Sequence, residues 1–284
     1  MILITGASGN VGREVLKQIA ATGVPVRATF QSVGQAAIAP SGVDIVTMDY
    51  NQPETLQKAL QGIDRVFLVG PPTPNLPALE RKAIDEIKRS ETRCVVKLSA
   101  MGGRGATFPR QHADSEDYIL SAGLTYTFLR PNGFMQNFIN YNAGTINTQN
   151  AFYGSQGEGK VSHIDIRDIA ASAVKVLTEK GHENKAYTLT GPEAISNAQV
   201  AEILSDDTGR EIKYVDLPAE QFKQALIGAG LPEGSADALV DLQQFYRAGG
   251  ASAVTGDVEK LLGRKPISFE QFSRDYAQAF QRAA

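Results

Sequence analysis

The chain has 284 residues, 42% of them hydrophobic and 21% charged, ordinary proportions for a globular protein long enough to bury a large core. A formal charge of −3 excludes a general phosphate-neutralising surface, so no nucleic acid is expected as a partner. Cys94 is the only cysteine, no run approaches the roughly 18 uninterrupted apolar residues of a membrane span, and the first residues lack a signal peptide's basic and apolar regions; a cytoplasmic protein that does not contact membrane is expected.

In chain order, "MILIT" reads as a short buried strand. "VGREVLKQIAATG" places Val11, Val15, Leu16 and Ile19 at helical spacing, with Gly23 as a C-cap. "VPVRATF" and "GVDIVTMDY" are the second and third strands, and "QPETLQKALQG" is a helix with Pro53 early and Gly62 at its end. "DRVFLVG" is a fourth strand, stopped by "PPTPNLP", and "LPALERKAIDEIKRS" is a helix with Leu79, Ala83, Ile84 and Ile87 on one face. "CVVKLSA" is a fifth strand, with Cys94 as a buried strand residue; "SEDYILSAG" is a helix and "TYTFLRP" a sixth strand. Strands alternating with helices predict right-handed βαβ units and a parallel sheet covered on both faces.

After Pro131 the rhythm loosens. "GFMQNFINYNAGTINTQNAFYGSQGEGK" predicts a helix followed by a loop or hairpin, and "VSHIDIRDIAASAVKVLTE" a short strand and a long helix. "KAYTLTG" has the look of one more strand of the main sheet, Ser196 is a good N-cap for "SNAQVAEILSDDTG", and the remainder is mostly helical. The expected fold is α/β: a Rossmann-type doubly wound parallel sheet over residues 1–150, with 160–190 returning to it, and a smaller, mostly helical C-terminal substrate subdomain mainly within 151–284.

The stretch "TGASGNVG" sets Gly6, Gly9 and Gly12 three apart, between a strand and a helix. That arrangement lets backbone approach a pyrophosphate, with the helix N-terminus supplying N–H donors and partial positive charge. Thr5, Ser8, Asn10 and Val11 surround the same turn. The second strand ends in "QSVG", without the acid that bonds a ribose 2′-hydroxyl, so Gln31 and Ser32 favour NADPH, with NADH as the alternative. Arg27 lies four residues before Gln31, in a direction that alternation leaves open. Asp49 has two readings, a contact to adenine or a cap for the helix that follows. Val69, Gly70 and Pro71 end the fourth strand beside the same crevice. Ser99, Ala100 and Met101 end the fifth, where a nicotinamide would arrive, and Pro131 ends the sixth.

The G-x-x-G-x-x-G spacing, with "MDYNQPETLQKAL", "TYTFLRPNGFMQNF" and "HIDIRDIAASAVKVLTE", resembles the NmrA-like branch of the atypical short-chain dehydrogenases/reductases, nearest to type 2 NAD(P)H:quinone oxidoreductases and triphenylmethane reductases. The resemblance covers nearly the whole chain. It implies a Rossmann domain with a small C-terminal domain, NADP(H) as cofactor, and reduction of quinones or cationic aromatic dyes; some members instead sense the NADP/NADPH ratio through a protein partner. Those relatives commonly carry an Arg after the second strand, where this chain has Gln31.

The Tyr-x-x-x-Lys pair of ordinary short-chain dehydrogenases is missing. Tyr118 has no Lys four residues on, and Tyr126 is followed at that spacing by Arg130, in a strand. His112 and Glu116 are four apart and share a helical face if the helix reaches back that far; the resembled quinone reductases keep a His and a Glu here. His112 is thus the candidate catalytic residue, contacting the nicotinamide side or donating a proton. Phe134 and Phe138, at helical spacing, with Met135, Phe152, Tyr141 and Tyr153, are either an apolar substrate pocket or subdomain core. His163 reads as a packed histidine, Asp165, Arg167 and Asp168 as structural, and the chain's three histidines show no metal-ligand spacing. Two functions fit: hydride transfer from NAD(P)H to a quinone or related conjugated aromatic acceptor, or a non-catalytic dinucleotide sensor acting on a partner protein.

Overall fold

The computed structural model describes residues 1–281. Strands β1 (Ile2–Ile4), β2 (Val26–Phe30), β3 (Asp44–Thr47), β4 (Arg65–Leu68), β5 (Cys94–Leu98) and β6 (Tyr126–Pro131) alternate with helices α1 (Asn10–Ala20), α2 (Pro53–Leu60), α3 (Leu76–Arg89) and α4 (Thr107–Ser121), a 3₁₀ turn at Gly34–Ile38 standing between β2 and β3. Beyond them come a π-helical turn at Phe138–Asn142, α5 (Ala143–Gln149), β7 (Ala151–Gly154), β8 (Lys160–Val161), α6 (Ile166–Thr178), β9 (Lys185–Leu189) and β10 (Ile195–Ser196). The last elements are α7 (Asn197–Thr208), β11 (Lys213–Asp216), α8 (Ala219–Gly228), α9 (Glu233–Arg247), α10 (Asp257–Leu262) and α11 (Phe269–Asp275).

Two compact units result. The first comprises Met1–Ala100, Gln111–Arg130 and Ile166–Thr188; the second comprises Met101–Arg110, Pro131–Asp165 and the described residues from Leu189 onward. The main sheet has the order β3-β2-β1-β4-β5-β6-β9, with β1 parallel to both β2 and β4. Sequence order therefore reverses between β1 and β4, the place where an open α/β sheet forms a binding crevice at the carboxyl ends of its strands.

The inner strands β1, β2, β4, β5 and β6 are largely buried on both faces, as their continuous apolar runs predict, whereas the edge strand β3 is mostly exposed. Leu3, Val66, Leu68, Val95 and Phe128 share one core with Leu56 and Leu60 of α2, Ile84 and Ile87 of α3, and Ile119 of α4. Alternation sends Ile4, Phe67 and Val96 to the opposite face, and these are equally buried. There α6 packs on β4 and β5 and lies against α1, whose buried stripe is Val11, Val15, Leu16 and Ile19.

In the second unit β7 pairs parallel with β11, and β8 antiparallel with β10. Of the loop or hairpin expected after the helix, no hairpin forms between β7 and β8, because the two strands find different partners. Its core gathers Met135, Phe138, Phe152, Leu204, Phe269 and Phe272, with Phe138 edge-on to Phe152 at 5.6 Å and to Phe269 at 5.1 Å between ring centroids. Ser196 caps α7 in a capping box: the Gln199 N–H donates to Ser196 Oγ, and the Ser196 N–H to Gln199 Oε1.

His163 sits in this aromatic core, its Nδ1–H donating to the Gly133 carbonyl at 3.3 Å and its ring edge-on to Phe138. Burial pushes its pKa down to about 4, against the backbone hydrogen bond that raises it. The unfolded chain binds this proton near pH 6.5 and the folded chain does not. Stability from this residue is therefore complete above about pH 6.5 and is lost as pH falls toward 4, by up to about 3 kcal/mol. Urea unfolding followed between pH 7 and 5 should show a falling midpoint, and His163→Phe should flatten that slope; an unchanged slope in the variant would contradict the assignment.

Candidate cofactor site

The glycine turn between β1 and α1 is a close approach of backbone to backbone. Gly6 has φ +61°, a left-handed value that suits glycine. A Cβ on Gly12 would stand 2.2 Å from the Gly6 carbonyl oxygen, so only glycine fits there. The Gly9 N–H donates to that same carbonyl at 3.0 Å, and α1 begins at the next residue. No side chain caps this end of α1: its N-cap is Gly9, and its first turn holds no acid. The amides and dipole of the helix are therefore not offset by an acidic residue in its first turn. Ser8, Gly9 and Asn10 are exposed around it, whereas Val11 is buried against the sheet.

Thr5 is 2% exposed, and its hydroxyl works within the sheet. It accepts from the Val69 N–H at 2.7 Å and lies 3.1 Å from the Phe67 carbonyl, bolting the end of β1 to the end of β4. The Tyr50 hydroxyl donates to the Val69 carbonyl at 2.8 Å beside it, and burial pushes the Tyr50 pKa well above 10. Thr5 thus sets the geometry of the crevice between β1 and β4.

At the end of β2, Gln31 and Ser32 are exposed, and the Gln31 N–H donates to Gln35 Oε1 at 3.2 Å. Arg27 points away from this edge: its guanidinium bonds Asp44 at 2.7 Å and the carbonyls of Ala59 and Gln61 at the end of α2. Asp49 does not cap α2, whose N-cap is Gln52. Its Oδ1 accepts from the Asn51 N–H at 2.8 Å, forming the turn that leads into α2.

Val69, Gly70 and Pro71 follow β4, where a Cβ on Gly70 would lie 2.3 Å from Leu76 and 2.8 Å from Glu80. Ser99 and Ala100 follow β5. Helix α4 begins at Thr107, eight residues before the predicted start, and so carries both His112 and Glu116. Glu116 accepts from Ser99 Oγ at 2.5 Å and from Arg130 Nε at 2.9 Å and Nη2 at 2.5 Å. His112 is 9% exposed, and its Nδ1 stands 3.1 Å from Lys97 Nζ. Burial and the neighbouring Lys97 ammonium hold His112 well below the ordinary 6.5. Lys97 is itself fully buried and paired with Glu80 at 2.9 Å. The sequence reading missed Lys97, Glu80 and Tyr50. A lysine inside a continuous apolar strand was the available signal, because a buried charge needs a buried partner.

The remaining candidates lie in the second unit. There the Met101 N–H donates to the Pro131 carbonyl at 2.9 Å. Met135, Phe138 and Phe152 are 1%, 5% and 1% exposed, interior side chains of its core, while Phe134 is half-buried. The helical spacing assumed for Phe134 and Phe138 does not apply, since Phe134 lies in a β-bridge with Ile164 and the helical turns begin after it. Tyr118, on α4, is engaged with Asp85 at 2.8 Å.

Strand order, glycine turn and uncapped helix together define an α/β protein of the Rossmann type. The chain belongs to the NmrA-like family, whose model matches residues 1–273. It is 37% identical to the NAD(P)H azoreductase of Xenophilus azovorans over 287 aligned positions, covering 100% of both chains. The solved NADPH-dependent quinone oxidoreductase of Escherichia coli, complexed with NADPH, superposes with a TM-score of 0.90 at 28% identity over 98% of this chain and 100% of that one. The Citrobacter sp. triphenylmethane reductase complexed with NADP(H) gives a TM-score of 0.88 at 26% identity, over 97% and 99%.

The fit of a dinucleotide to this turn is testable at Gly12. Gly12→Ala should weaken NADPH binding more than tenfold, read by calorimetric titration of folded protein, because the added methyl displaces the Gly6 carbonyl and reshapes the turn. Unchanged affinity would mean that the pyrophosphate lies elsewhere.

Proposed function

We propose that this protein is an NADPH-dependent reductase of quinones, azo compounds or related conjugated aromatic acceptors. The observation that carries the proposal is the glycine turn at the N-terminus of α1, packed so closely that a Cβ at Gly12 would stand 2.2 Å from the Gly6 carbonyl oxygen, with no side-chain cap on the helix. The azoreductase, quinone reductase and triphenylmethane reductase relatives support the acceptor class. When bound, reduced nicotinamide supplies hydride.

Gly6, Ser8 and Asn10 would hold the pyrophosphate through backbone N–H groups and short polar side chains, with Gly9 shaping the turn between them. Gln31 and Ser32 would meet the adenosine ribose as neutral groups, accepting a 2′-phosphate without demanding one. Val69, Gly70, Ser99 and His112 border the crevice toward the ends of β4 and β5. Here His112 is neutral at physiological pH, so it offers a hydrogen bond rather than an imidazolium proton. The proton that completes reduction of a quinone is then drawn from water. No residue has to lower the pKa of a tyrosine, which matches the missing Tyr-x-x-x-Lys pair.

Purified protein should oxidise NADPH in the presence of at least one member of a panel of quinones and azo dyes, followed by loss of reduced-nicotinamide absorbance. NADPH should bind more tightly than NADH, though by a modest factor given Gln31. Tight, redox-selective cofactor binding with no turnover on any acceptor would replace this reading with that of a dinucleotide sensor. His112→Asn should lower kcat about 100-fold, at the low end of the losses seen when a positioned donor is removed. The kcat of the unaltered protein should show no histidine limb between pH 6 and 8.

A further inference from the structure

Lys97 lies on β5, where alternation and burial would otherwise place an apolar residue; its neighbours Cys94, Val95, Val96 and Leu98 are all buried. An ammonium has three donors and no acceptor. Around Lys97 Nζ stand three acceptors: Glu80 Oε1 at 2.9 Å, His112 Nδ1 at 3.1 Å, and the Leu98 carbonyl. Glu80, on the buried face of α3, also accepts from the Gly70 N–H at 3.1 Å. One ammonium therefore links α3, the end of β4, β5 and α4.

We propose that Lys97, anchored by Glu80, is a positioning residue that fixes His112 as the neutral tautomer protonated on Nε2. The reasoning is stoichiometric. Lys97 can only donate, so Nδ1 of His112 must accept, and the ring's proton must reside on Nε2. A second proton on the ring would set imidazolium against ammonium at 3.1 Å inside the protein. The other charged groups at this level are already engaged: Glu116, one turn along α4, is held by Ser99 and Arg130. Nε2 is then the ring's one donor, suited to a carbonyl oxygen such as that of a carboxamide or a quinone. That last consequence rests on the proposed reductase function; the tautomer assignment does not.

Ring nitrogen–proton correlation spectra of ¹⁵N-labelled protein test the assignment without cofactor or acceptor, with His112 identified by its absence in His112→Asn. The expected pattern has Nδ1 unprotonated and Nε2 protonated, unchanged from pH 8 to 6. A ring protonated on Nδ1 would overturn the proposal before any further variant is made. In Lys97→Met/Glu80→Gln, which removes both charges together and strands neither, the Nε2 preference should be lost and the titration midpoint should move up toward about 6.5. In Glu80→Gln alone, Lys97 still donates and the Nε2 pattern should persist. A folded double variant that keeps the original tautomer and midpoint would show that burial, not Lys97, sets the state of His112. Should the double variant fail to fold, the tautomer of the unaltered protein and of Glu80→Gln decides. Absence of turnover in a protein showing the expected spectra would count against the reductase reading alone.

Discussion

A buried ammonium must find acceptors for three protons, and in this protein that demand falls at Lys97. Stranding such a charge costs several kcal/mol, so a lysine survives at this position only because its partners are built around it. Its acceptors come from α3, from the backbone of β5 and from α4, elements brought together only by the completed fold. Glu80 in turn reaches the Gly70 amide, which carries the arrangement to the loop after β4. The floor of the crevice at β4 and β5 is thereby a polar cluster enclosed by apolar packing, not a continuation of the hydrophobic core. Within the cluster Glu80 Oε1 bonds both Lys97 and the Gly70 amide, while its buried Oε2 has no hydrogen-bond partner.

The other end of the crevice is held by different means. Thr5 ties β1 to β4 through its hydroxyl, and Gly12 rides directly over the Gly6 carbonyl. Both features concern distance between main chains rather than charge. Together they keep the N-terminus of α1 close to the sheet and free of any side-chain cap. Under the proposed function the two ends would suit different parts of one elongated ligand: backbone amides where charge is concentrated on phosphate, and a neutral ring where a flat heterocycle is to be held.

The sheet and its helices were legible in the sequence because doubly covered strands are continuous apolar runs and amphipathic helices repeat near 3.6 residues. The glycine turn was legible because its steric requirement leaves a residue-type signature. Contacts that depend on side-chain direction were harder to read. Arg27 bonds carbonyls at the carboxyl end of α2, and Asp49 bonds an amide of the turn that enters it, contacts that spacing alone did not specify. Phe134 and Phe138 seemed a helical pair only until the backbone between them proved irregular. Lys97 and Glu80 were visible as anomalies: a lysine inside "CVVKL", and a glutamate on the same helical face as Leu76, Ala83 and Ile84. Each is odd alone. Only the pairing of α3 against β5 makes them a unit, and pairing of elements distant in sequence is what local patterns do not encode.

The chemistry that this cluster permits also limits it. A ketone accepts hydride readily when an acid protonates the developing alkoxide, the service a Tyr/Lys pair provides in other short-chain enzymes. Here burial and the neighbouring ammonium lower the His112 pKa, so no strong acid is available from that residue. Under the proposed function, the acceptor must already be electrophilic enough to take hydride with only a hydrogen bond to assist. Quinones, azo groups and cationic dyes meet that condition, because conjugation delocalises the charge that hydride brings or the cation already awaits it. Unactivated ketones do not. Under the proposed function, burial and the neighbouring ammonium together would disfavour that class of substrates by keeping a second proton off His112.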